Sequence, residues 1–254
     1  MTQEKVRRPR KAGKAGGGGL PDGISGLVIF LVVAAVVAYL FVTNADYKGR
    51  ESYWLVNNGL LLWIPLCTIL LLLRKEVADF GMQPGDSRFG YRVAAAAWVV
   101  MLFGVAAASQ MPKFKAYYLL NNLQTYLTGT GAILDGARVH YPALLYYELA
   151  MGFYMFCWEF FFRGFLLFGI ARTRLGPVAA VVIQAIPFTL LHWSWNAAAA
   201  KPGLETLGAF PAAIILGILA LRTRSFLYGF LAHWCVSLTL DLFLLAPFIF
   251  RHIG

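Results

Sequence analysis

Seven stretches of this chain, at about 24–43, 53–73, 92–110, 143–171, 177–197, 204–221 and 225–249, are apolar almost without interruption. As a helix, a run of roughly 20 such residues matches the ~30 Å hydrocarbon core of a bilayer. Lipid offers a backbone no hydrogen-bond partners, so only helices and closed barrels cross it, and runs this continuous do not alternate as barrel strands do. The predicted architecture is therefore all-α, a polytopic membrane protein of about seven to eight transmembrane helices with an intramembrane polar site. Composition agrees: 59% of residues are hydrophobic and 13% charged, where soluble domains carry roughly 25% charged. In 254 residues the spans leave room for one membrane domain, 24–254, and no second globular unit. The fourth run exceeds what a crossing needs and is expected to tilt or project beyond the bilayer.

The net charge of +10 raises nucleic-acid binding, but its placement argues against it. Much of it lies in the tail MTQEKVRRPRKAGKAGGGG and in LRKEVADFGMQPGDSRFGYR, ARTRLG and LRTRS. Seven spans put these four segments on one face, which the positive-inside rule makes cytoplasmic. The Gly-rich basic tail, residues 1–23, has almost nothing to pack and is expected to be disordered beside anionic lipid. It is not read as a cleavable signal, because the apolar run after it is long enough to span. The N-terminus is placed in the cytoplasm and the C-terminus outside, with a bacterial inner (plasma) membrane as the expected location. Segment 111–142 is the one sizeable loop, with an interfacial helix expected around KAYYLLNNLQTYL. Cys67, Cys157 and Cys235 fall within apolar runs without CxxC spacing and are read as small packing residues.

Against this background Glu159, Arg163, His192 and His233 stand out, since each ionisable group in the hydrocarbon core costs ~2.5 kcal/mol or more on insertion scales. Counting inward from Arg172, Pro177 and Ser225 at ~1.5 Å per residue, Glu159 lies about 20 Å deep, His192 about 22 Å, and Arg163 and His233 about 12–14 Å. Three helices thus bring titratable groups toward one layer. Glu159 and Arg163 are i,i+4 and share a face, as do His233, Ser237 and Asp241 on the last span and Gln184, Phe188 and His192 on the fifth. Plainer readings exist for each. Glu159 and Arg163 can neutralise one another, His192 beside HWSWN can sit at an interface, and His233 can serve a helix–helix hydrogen bond.

The ordered segments Trp158-Glu159-Phe160-Phe161-Phe162-Arg163-Gly164, Phe188-Thr189-Leu190-Leu191-His192 and His233-Trp234-Cys235-Val236-Ser237 resemble the motifs of the CPBP family. These are the intramembrane CAAX proteases and bacteriocin-processing enzymes, also called glutamic intramembrane proteases, and the likeness spans roughly 143–245. The family shows Glu-Glu-x-x-x-Arg, Phe-x-x-x-His and His-x-x-x-Asn on successive helices. Trp158 stands where the first Glu would be, and Ser237 where the Asn would be. The resemblance implies hydrolysis of a peptide bond by an activated water, with no covalent acyl-enzyme, no cofactor and no obligatory metal. By that reading Glu159 is the general base, oriented by Arg163, His192 helps hold the water, and His233 and Ser237 stabilise the oxyanion. The partners implied are a membrane-anchored peptide or protein substrate and the bilayer, with no nucleic acid.

Other chemistries have no motif here. There is no His-Glu-x-x-His, no Gly-x-Ser-x-Gly and no Gly-x-Gly-Asp, although two His and one Glu on three helices also suit zinc. Two further readings stay open at this level: a catalytically inactive family relative acting as a membrane binding or scaffold protein, and a small proton-coupled transporter using the Glu/His set as a relay.

Overall fold

The computed structural model describes residues 19–47, 51–119, 123, 126–127, 131–135, 138–193 and 201–250. In it the apolar runs become helices: α1 (Asp22–Tyr47), α2 (Ser52–Leu73), α3 (Ser87–Gln110), α4 (Pro112–Tyr118), α5 (Tyr141–Ala171), α6 (Gly176–Leu190), α7 (Gly203–Thr223) and α8 (Leu227–Phe250). Six of them are long and apolar enough to cross a membrane, and the chain is an all-α integral membrane protein. α6 is apolar too but runs only 15 residues. The fifth run, expected to stay helical toward residue 197, ends at Leu190. Pro187 supplies no N–H to the last turn, and Leu191 and His192 close it with bonds back to Pro187 and Thr189.

The expected tail is shorter than predicted, because Asp22 and Gly23 already belong to α1. Tail residues 1–18 and the C-terminal residues 251–254 lie outside the described residues. Of the expected helix around 115–127, the part to Tyr118 forms α4. Further along that loop two short antiparallel pairs occur, Tyr126–Leu127 with Gly131–Ala132 and Leu134–Asp135 with Arg138–Val139.

α5 is the central helix: 78% of its apolar window is buried, against 22–39% for the other spans. α8 packs along α3 and α5, and α6 packs between the end of α5 and α7. Large apolar side chains left outside, such as Leu27, Leu71, Phe103, Val178 and Leu207, have the composition of a lipid-facing surface.

The basic connectors gather at one end, as the loop charges predict. Lys75 pairs with Asp22 at 2.6 Å, Arg172 with Asp79 at 3.1 Å, and the Tyr228 hydroxyl donates to the Pro84 carbonyl at 2.5 Å. Gly85 ties two of these connectors. It sits at φ +55°, and a Cβ there would lie 1.8 Å from the Thr223 carbonyl oxygen, which also accepts from the Asp86 N–H at 2.9 Å. Gly85→Ala should therefore cost about 2–3 kcal/mol, from left-handed strain plus displacement of this joint. The measurement is the unfolding midpoint in detergent; a change within about 0.5 kcal/mol, as for an ordinary surface site, would contradict it.

Candidate active site

Glu159 ends the first α-helical part of α5, and from Phe160 to Leu166 the helix widens to π geometry before returning to α geometry over Leu167–Ala171. Such a turn re-aims the side chains that follow it and is frequent at functional sites. Phe160, Phe161, Phe162 and Phe165 are all at 0% exposure, so the segment is sealed from both lipid and water.

Inside that seal Glu159 and Arg163, both fully buried, pair at 3.2 Å between Oε1 and Nη1. His233 Nδ1 lies 2.9 Å from the same Oε1. A carboxylate oxygen only accepts, so Nδ1 carries the proton. Gly229, one turn before His233, makes the approach possible: a Cβ there would stand 3.2 Å from Glu159 Oε2. That Oε2 has no hydrogen-bond partner among the described residues. The Arg163 guanidinium lies over Phe188, with Cζ 3.9 Å from the ring centroid, a cation–π contact worth about 2 kcal/mol where water is excluded.

Phe188 is the meeting point of the cluster. Its ring centroid lies 4.6 Å from that of His192, 6.3 Å from that of His233 and 5.8 Å from that of Trp158. His192 follows the end of α6, and its Nδ1 is 2.9 Å from the Phe188 carbonyl. A carbonyl only accepts, so Nδ1 is the donor, and in the neutral ring Nε2 keeps its lone pair. Nε2 stands 4.0 Å from Glu205 Oε1. The Trp158 indole meets the His192 ring edge-on at 5.9 Å.

Of the five predicted site residues, Glu159, Arg163 and His233 are in direct contact and His192 shares Phe188 with them. Ser237, half-buried, stands one turn beyond His233 on α8. The rest of the predicted polar stripes has other partners. Gln184 donates to the Val181 and Ala213 carbonyls at 3.0 and 2.8 Å, joining α6 to α7. Asp241, 1% exposed, interacts with Glu148 of α5.

Sequence reasoning missed Glu205 and Tyr118. Glu205 opens α7, where an acidic residue complements the helix dipole and attracts no notice. The Tyr118 hydroxyl donates to its Oε2 at 2.5 Å, and Lys201 pairs with its Oε1. Burial first, and Glu205 second, raise the Tyr118 phenol well above its ordinary value, so it remains a donor. Among the described residues no group of three or more His, Cys, Asp and Glu side chains comes together for a metal.

Residues 140–239 match the Rce1-like family, described as type II CAAX prenyl endopeptidase Rce1-like. The match covers α5 to the first half of α8 and contains Glu159, Arg163, Phe188, His192, Glu205, His233 and Ser237, while Tyr118 lies outside it. No curated protein and no solved structure matches the chain.

Proposed function

We propose, taking residues 140–239 as a domain of the Rce1-like family, that this integral membrane protein is an intramembrane endopeptidase acting on membrane-anchored peptide or protein tails. The observation that carries the reading is the 2.9 Å contact between His233 and a fully buried Glu159, with His192 on the same phenylalanine ring. A buried carboxylate held by an arginine and a histidine is costly to fold, and desolvation strengthens what it does electrostatically.

The roles follow from which atoms are engaged. Glu159 and Arg163 hold His233 with Nδ1 on Glu159 Oε1, which leaves Nε2 to face the oxygen of a scissile carbonyl. Ser237, one turn on, is a second donor to that developing oxyanion. Donors fixed in advance in a dry site stabilise such charge by about 3–4 kcal/mol each. His192, with Nδ1 on a carbonyl, offers the Nε2 lone pair to the attacking water. That the family description names prenylated tails supports a lipid-anchored C-terminus as substrate class, cut from the cytoplasmic side.

The test is cleavage, in proteoliposomes, of a quenched fluorogenic peptide ending in a farnesylated CAAX sequence and of one ending in a hydrophobic helix. Wild type should cleave at least one, and Glu159→Gln and His192→Ala should not, while both variants still insert into the membrane. Equal rates in all three proteins would refute the endopeptidase reading.

A further inference from the structure

Position 158 carries the sharpest departure from the family motif, and the structure shows what that position faces. The Trp158 ring is packed edge-on against His192, so the carboxylate missing at 158 is missing beside that histidine. A carboxylate is nevertheless there, supplied by another helix: Glu205 Oε1, 4.0 Å from His192 Nε2.

That separation has chemical meaning. It exceeds the ~2.7–3.2 Å of a direct hydrogen bond. His192 Nδ1 donates to the Phe188 carbonyl, so Nε2 is an acceptor facing Oε1, which already accepts from Lys201, and a donor between them would serve the Nε2 lone pair and a second lone pair of Oε1. One water placed ~2.8 Å from each spans acceptors about 4–4.5 Å apart. The spacing is set by the first turn of α7, where the Thr206 hydroxyl donates to the His192 carbonyl at 3.1 Å. Tyr118 and Lys201 hold the Glu205 carboxylate against rotation. The Glu205 side chain is 19% exposed and His192 8%, whereas Glu159 is at 0%. The first pair is thus only partly covered by the protein, whereas Glu159 is completely enclosed.

We propose that Glu205 is a further catalytic residue, the carboxylate that with His192 binds and deprotonates the attacking water. This rests on the endopeptidase reading above. In the step, one O–H bond of the water breaks and its proton goes to Glu205. The water's oxygen bonds to the scissile carbonyl carbon, and the carbonyl π pair becomes an oxyanion on the side of His233 and Ser237. Collapse re-forms the carbonyl and breaks the C–N bond, and the Glu205 proton passes to the leaving nitrogen. Glu159 keeps the separate task of holding His233. The two glutamates that the family motif places side by side are here divided between α5 and α7.

Two measurements on the full-length protein test this. With the farnesylated and the hydrophobic-helix peptides in proteoliposomes, the isosteric Glu205→Gln should lose at least 100-fold in kcat with KM within threefold of wild type and an unchanged unfolding midpoint. Glu205→Gln within threefold of wild type in kcat, while Glu159→Gln is inactive, overturns this role and leaves the endopeptidase reading standing. A wild type that cleaves neither peptide removes both. A fall in unfolding midpoint that accounts for the lost activity makes Glu205 structural and overturns the role. Independently of any substrate, a high-resolution structure should show one ordered water within ~3.2 Å of both His192 Nε2 and Glu205 Oε1; a direct His192–Glu205 bond, or no water there, refutes it.

Discussion

Arg163→Ala is expected to destabilise the protein by about 3–5 kcal/mol, the cost of leaving one member of a buried ion pair without the other. Glu159 and Arg163 are both at 0% exposure, so no solvent compensates when either is removed. With Arg163 gone, the Glu159 carboxylate keeps only His233, and Phe188 loses its cation. The converse experiment separates pair loss from volume loss. Replacing both residues, as Glu159→Leu with Arg163→Met, should recover most of the stability, because an apolar pair has nothing to desolvate. Unfolding midpoints in bicelles or mild detergent read both effects. An Arg163→Ala protein within about 1 kcal/mol of wild type, the worth of an exposed pair, would show that the site is wetter than its burial indicates.

The second large effect is on turnover. His192→Ala removes the acceptor that holds the water and should lower kcat by about 10²–10⁴, the usual range for proton-transfer partners. Glu159→Gln keeps the shape of the side chain but removes the carboxylate that holds His233 Nδ1, and about 10²–10³ should be lost. The two losses should combine less than additively, since both variants disable one concerted unit. Initial rates in proteoliposomes at saturating peptide give these numbers. Full activity in Glu159→Gln with loss in His192→Ala would separate His233 from the chemistry.

Much of this was readable beforehand because membrane insertion acts on composition along the chain. Runs of apolar residues have one structural solution in lipid, so helices appear close to the predicted ranges, and the Arg-rich connectors around 74–91, 172–175 and 222–225 meet at one end. The i,i+4 spacing of Glu159 and Arg163 was likewise sufficient to foresee their pairing, since a helix places such residues on one face whatever surrounds it. Gln184 and Asp241 show where that argument stops. Periodicity tells which side chains share a face, not which neighbour that face meets, and theirs met the Ala213 carbonyl of α7 and Glu148 of α5.

By itself, then, the sequence determined that this chain is a bundle of membrane helices carrying a costly set of ionisable groups on α5, just past the end of α6 and on α8. Those properties follow from local energetics: backbone satisfaction, helical period and the penalty for charge in hydrocarbon. Only the tertiary structure decided the pairing, with His233 on Glu159, His192 beside Glu205, and Phe188 where these groups meet. Glu205 lies 46 residues beyond Glu159 in the chain, and no periodicity links the two. Their common neighbourhood exists because α5, α6, α7 and α8 pack around buried aromatic rings, and packing is settled by shape in three dimensions rather than by spacing along the chain.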